Sequence, residues 1–145
     1  MIAVLSCLFV ANVATADLDP WTDYEISDAV WSVTTVKVHS NMADAYLEGL
    51  RETWIPGNKI AQELGQIDDW WIYRSDLQDS GDFNLLLVVK FANTAKLAPN
   101  KAEYEKFMAR YTKAQADKST EFAQKNYPGM REITGEYQMR LITIK

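Results

Sequence analysis

The side chains with chemical reach in this sequence are few, and their spacing limits what they can do. His39 is the only histidine. It closes a β-branched run, just before a segment that reads as a helix start. An imidazole there could act as a base or as a haem ligand; the competing reading is a strand-end histidine hydrogen-bonded to the nearby helix start. Tyr73 and Arg74 are neighbours in the stretch DDWWIYRSD. With His39 they are the only polar set that assembles into a candidate catalytic constellation, although Arg74 is equally suited to pairing with an acid. Asp68 and Asp69 resemble an acid–base couple, but successive strand residues point apart. Glu136, Gln138 and Arg140 share a face of the last strand, either as a polar pocket wall or as a plain exposed edge.

With a single histidine no His-x-x-x-His zinc pair can form, and no metal site is expected. The chain has no Gly-rich phosphate loop, no paired-cysteine motif and no serine in a nucleophile-elbow context, which argues against hydrolase and zinc chemistry. No cofactor is expected, haem being the one that His39 leaves open. The apolar side chains suited to holding a ligand are Trp54, Trp70, Trp71 and Tyr73.

These residues must be positioned by strands and helices. Residues 30–39, VWSVTTVKVH, are β-branched and free of Gly and Pro, as a strand requires. Asn41, three residues before Asp44, reads as the cap of a first helix. Tyr46, Leu50, Thr53 and Trp54 form its apolar face. Pro56 should end this helix near Ile55, after which NKIAQELG resumes for two turns and stops at Gly65. Residues 68–75 and 83–92 read as the second and third strands, joined by a turn in which Gly81 takes positive φ. A second helix begins after Pro99-Asn100 and carries Tyr104, Phe107, Met108, Tyr111 and Ala114 as far as Phe122. Tyr127-Pro128-Gly129-Met130 fits a type II turn, and residues 133–145 read as the last strand.

The order is strand, helix, strand, strand, helix, strand. Both faces of the sheet are apolar near the middle. Trp70 and Ile72 face one way, Trp71 and Tyr73 the other; Leu85, Leu87 and Val89 oppose Leu86 and Val88 in the same manner. Two helices can cover one face, and nothing else in the chain is long or apolar enough to cover the second. A second copy, packed sheet against sheet, is the simplest cover, and a homodimer is therefore expected.

The βαββαβ order, TTVKVHS running into NMADAYLEGL, and the closing YQMRLITIK resemble the dimeric α/β-barrel superfamily of ferredoxin-like domains, which includes antibiotic-biosynthesis-monooxygenase-like proteins. The resemblance spans roughly residues 30–145 and rests on pattern. It implies an α+β fold: a four-stranded antiparallel sheet with two helices on one face, dimerising sheet to sheet into a barrel with a pocket for a small apolar or aromatic ligand, for a haem, or for nothing known. A binding protein needs only the aromatic residues. A cofactor-independent monooxygenase or haem-handling enzyme would also need His39, Tyr73 and Arg74.

The first sixteen residues differ from the rest. MIAVLSCLFVANVATA carries no charged side chain and ends in Ala14-Thr15-Ala16, a small-x-small pattern. It is too short to span a bilayer and reads as a signal peptide over residues 1–16, followed by an acidic irregular arm over residues 17–29 and a ferredoxin-like domain over residues 30–145. The expectation is a secreted or periplasmic protein with no stable membrane insertion after cleavage. Cys7, the only cysteine, lies within that segment, so no intrachain disulfide can form. The chain has 145 residues and a net charge of −5. Its basic residues are scattered among acids, which argues against nucleic acid as a partner.

Overall fold

The structure is a computed structural model that describes residues 17–77 and 80–145. The expected signal peptide lies outside the described residues. The segment ending at Ile26 forms one unit with residues 142–145, and residues 27–141 form a second.

In the first unit β1 (Tyr24–Ile26) pairs antiparallel with β6 (Ile142–Ile144), Glu25 opposite Thr143. Lys145 extends the pairing: its backbone N–H donates to the Asp23 carbonyl at 2.9 Å, and its ammonium lies 3.2 Å from Glu25. The arm is therefore not irregular throughout, and the last strand is not continuous to residue 145. Neither pairing is visible in a local pattern, because the partners are more than a hundred residues apart.

The second unit contains β2 (Val30–Val38), α1 (Ala43–Glu52), α2 (Trp54–Glu63), β3 (Asp69–Arg74), β4 (Leu85–Phe91), α3 (Lys101–Tyr111), α4 (Lys113–Asn126) and β5 (Arg131–Met139). The sheet order is β3-β4-β2-β5 with every neighbour antiparallel. Each strand–helix–strand excursion therefore skips a strand, which is the ferredoxin-like α+β arrangement. Val36, Val38, Leu85 and Leu87 of the sheet pack with Tyr46 and Leu50 of α1 and with Tyr127 in one buried core, which fixes the face that the helices cover.

Several local expectations are corrected by packing. The first helical run breaks at Thr53 rather than near Ile55, and Pro56 falls in the first turn of α2, where a missing N–H costs nothing. Asn41 does not cap α1; it adopts φ 65° in the approach, and Met42 precedes the helix without a side-chain cap. The second helical run breaks at Thr112, which holds φ 56° while its Oγ1 accepts from the Gln115 N–H. Tyr127–Gly129 forms a 3₁₀ turn, closed by Met130 N–H donating to the Tyr127 carbonyl, not a type II turn. Gly65 and Gly81 do take the positive φ their turns require. No helix among the described residues is long and apolar enough to cross a membrane.

Candidate functional site

His39 and Arg74 meet at one end of the sheet. A cleft of about 350 Å³ lies between the end of β2, the start of α1 and the end of β3; His39, Asp44, Arg74 and Asp76 line it, and Val38 and Leu85 form its buried apolar floor. The His39 Nδ1 lies 3.2 Å from the Gly129 carbonyl oxygen. A carbonyl only accepts, so Nδ1 carries the proton, and in the neutral ring the Nε2 lone pair is left free. The partner is thus the turn before β5, not the helix start expected from the sequence. Arg74 reaches an acid, as its sequence reading allowed: its guanidinium is 4.0 Å from the Asp44 carboxylate, with both side chains largely in solvent.

The cleft is shaped by a residue that sequence reasoning missed. Asn84 accepts the Val38 N–H on its Oδ1 at 2.7 Å and donates from Nδ2 to the Val38 carbonyl at 2.9 Å. Its side chain continues the β2–β4 ladder in place of a backbone. An asparagine just before an apolar strand looks like an ordinary turn residue, so no local signal separates the two roles.

Tyr73 does not join this constellation. It lies on the opposite face of β3, half exposed. The aromatic set divides in the same way. Trp54 of α2 meets Trp70 edge to face, with ring centroids 5.5 Å apart and an interplanar angle of 87°, on the helix side. The buried indole N–H of Trp70 has no hydrogen-bond partner among the described residues. Trp71 and Tyr73 stand on the other face. Trp54, Trp70, Trp71 and Tyr73 therefore do not line one wall.

That other face has a clear composition. Strand register places Trp71, Val88, Val33 and Tyr137 side by side across all the strands. The row on one side is Tyr73, Leu86, Thr35 and Gly135, and on the other Asp69, Lys90, Trp31 and Met139. Among the described residues no helix covers this face, although Val88 and Thr35 on it are buried. Tyr73, Tyr137 and Met139 remain about half exposed on it. The Tyr137 ring lies over Gly135, where an added Cβ would stand 2.8 Å from it and displace the ring. A β-bulge sets Thr134 and Gly135 opposite Thr35, whose hydroxyl is 2.9 Å from that of Thr134. The lysines near the face are already engaged. Lys90 lies 5.6 Å from the Trp31 ring centroid and pairs with Asp68 at 3.6 Å, while Lys37 donates to the Gly81 carbonyl at 2.8 Å. Sequence reasoning did not place Trp31, Val33, Tyr137 or Met139 on this face; the period-two spacing of Trp31 with Val33 and of Tyr137 with Met139 is the signal that could have found them.

Beneath the helices a second polar group was not anticipated. The Thr53 hydroxyl donates to the Gly49 carbonyl at 2.9 Å and therefore accepts from the Tyr127 hydroxyl. The Arg131 guanidinium stacks 5.0 Å from the Tyr127 ring centroid and 6.0 Å from that of Tyr46. Burial raises the Tyr46 hydroxyl above the usual tyrosine value, with Arg131 opposing the shift, and burial raises Tyr127 as well. Among the described residues no group of three or more His, Cys, Asp or Glu side chains is placed to hold a metal ion.

The sequence matches no protein-family model and no curated protein. Solved structures of similar architecture include HapK from Hahella chejuensis, 13% identical, covering 76% of this chain and 90% of that one with a TM-score of 0.45. A NIPSNAP-like domain protein from Burkholderia xenovorans is 11% identical over 81% of this chain and 85% of that one, TM-score 0.45. A dimeric protein of unknown function and ferredoxin-like fold from Bacteroides fragilis is 8% identical over 83% and 100%, TM-score 0.38. These superpositions are loose, and the fold assignment rests on the strand order of the chain itself.

Proposed function

We propose that this chain works as an exported homodimer that holds a small apolar or aromatic ligand, its two sheets packed face to face into an α/β barrel. The observation that carries the dimer is the sheet face away from the helices, where Tyr73, Tyr137 and Met139 stand about half exposed around the partly buried Trp71 and Val33 and the buried Val88. Contiguous apolar surface of this kind is uncommon on a monomer, and an identical face from a second copy is its simplest complement. An obligate interface of this type buries roughly 2,000 Å² or more in total. Support for the ligand comes from the margin of the same face, where a groove of about 200 Å³ is lined by Tyr73, Phe83 and Leu86 among others. Export is supported by the uncharged run ending Ala14-Thr15-Ala16.

Sedimentation at micromolar concentration, together with native mass spectrometry of protein recovered from an expression host, tests the whole reading. The expected species is a dimer of chains beginning at Asp17 that retains a small apolar molecule. A visible spectrum before and after addition of haemin separates this from the haem-handling reading. A stable monomer with Met1 intact and no bound molecule would overturn all the parts of the proposal.

A further inference from the structure

We infer that the cleft between β2, α1 and β3 is a separate binding site for a small zwitterion of the α-amino-acid class bearing an apolar side chain. The polar lining divides into groups already engaged and groups still free. Asn84 is bound to Val38 through both atoms of its amide, and the Ser75 hydroxyl accepts from the Leu77 N–H at 3.1 Å and from Ser80 at 2.6 Å. These contacts fix both side chains in place, so they shape the cleft, while the Ser75 O–H and the second Asn84 N–H keep a donor each. Among the described residues, the groups left for a ligand are the Arg74 guanidinium, loosely paired with Asp44, the Asp44 and Asp76 carboxylates, the His39 Nε2, and the Ser40 and Asn41 side chains.

Arg74 and Asp44 meet only at 4.0 Å and are mostly solvated, so they hold each other weakly and open at little cost. A simple carboxylate would meet Arg74 but face both acids. A simple amine would satisfy the acids but face Arg74. A zwitterion matches the set. Its carboxylate takes the guanidinium fork, and its ammonium has three donors for Asp44, Asp76 and the Nε2 lone pair. The floor of Val38 and Leu85 then receives the side chain. A volume of about 350 Å³ is at the small end of ligand pockets, which suits a ligand of this size.

The test is calorimetry and ligand-observed NMR on the full chain with leucine, 3-methylbutylamine and 4-methylpentanoate, which share one apolar body and differ in charge. Leucine should bind, and each singly charged analogue should bind at least about tenfold more weakly. Arg74→Gln and Asp44→Asn should each weaken leucine about tenfold, and His39→Ala by a smaller factor. Asp44 is fully exposed, so its variant keeps the fold and leaves the test intact if Arg74→Gln proves unstable. Equal binding of all three compounds, binding that survives both charge substitutions, or no saturable signal with leucine would each overturn the inference.

Discussion

Replacing Tyr137 with Glu should dissociate the proposed homodimer. Tyr137 is 54% exposed on the uncovered sheet face, at the end of its central apolar row. A tyrosine buries roughly 150–250 Å² when fully enclosed, so about 100 Å² of each copy remains to be covered by a partner. At about 25 cal/mol per Å² this is worth about 2.5 kcal/mol per copy. Two-fold symmetry places the change on both sides of the interface, so about 5 kcal/mol is lost, or between three and four orders of magnitude in the dissociation constant. The unpaired carboxylates add a desolvation cost in the same direction. Sedimentation velocity over a micromolar series reads the outcome directly, with circular dichroism to verify the fold. Tyr104→Glu is the control: Tyr104 is 63% exposed, but on α3 in the helix layer. It was expected to join the apolar stripe of the second helix and does not. If Tyr137→Glu sediments as the parent does, or if Tyr104→Glu dissociates the protein equally, the sheet face is not the interface.

Other outcomes follow from the packing beneath the helices and at the cleft. Gly49→Ala places a Cβ 2.9 Å from both Phe122 and Tyr127. The overpacking cost of about 1–3 kcal/mol should exceed the gain of about 1 kcal/mol in helix propensity, giving a lower denaturation midpoint at fixed protein concentration. Asn84→Ala leaves both backbone groups of Val38 without their side-chain partner and should cost about 2 kcal/mol, read by urea unfolding. Tyr46 is held above its unfolded value by burial, so the folded state keeps a proton that the unfolded state loses. Its contribution to stability is complete below about pH 10 and declines as pH rises toward the folded value; melting temperature followed from about pH 8 to about pH 11 should fall, and fall less in Tyr46→Phe.

The strands around Val36 and Leu87 were legible because their information is local. β-Branched residues favour an extended backbone, and a period of two assigns opposite side chains to opposite faces. The same holds for Gly65 and Gly81, whose positive φ is a demand of the turn itself. The alternation in DDWWIYRSD established that Trp70 and Trp71 part company, and hence that both faces need cover. It did not establish which ring goes under the helices. That depends on the packing of β3 and β4 against α2, where Trp54 meets Trp70 and leaves Trp71 outside.

Tertiary structure also decided where the helices break. Pro56 marks a discontinuity in sequence, but the chain yields earlier, at Thr53, whose side chain is held by Gly49 and Tyr127 from a distant turn. Thr112, with Gln115 three residues on, carries the signature of a helix start, but inside a continuous apolar stripe that signature does not say that the run breaks there; in the fold Thr112 takes φ 56° and caps α4. The candidate site shows the same division. His39 and Arg74 could be named as reactive from their types alone. Their sharing a cleft, and the exclusion of Tyr73 from it, depend on the β3-β4-β2-β5 strand order, which brings the ends of β2 and β3 together across β4. The pairing of β1 with β6 is the extreme case: nearly the whole chain separates the partners, and three-residue strands carry too little periodicity to announce each other.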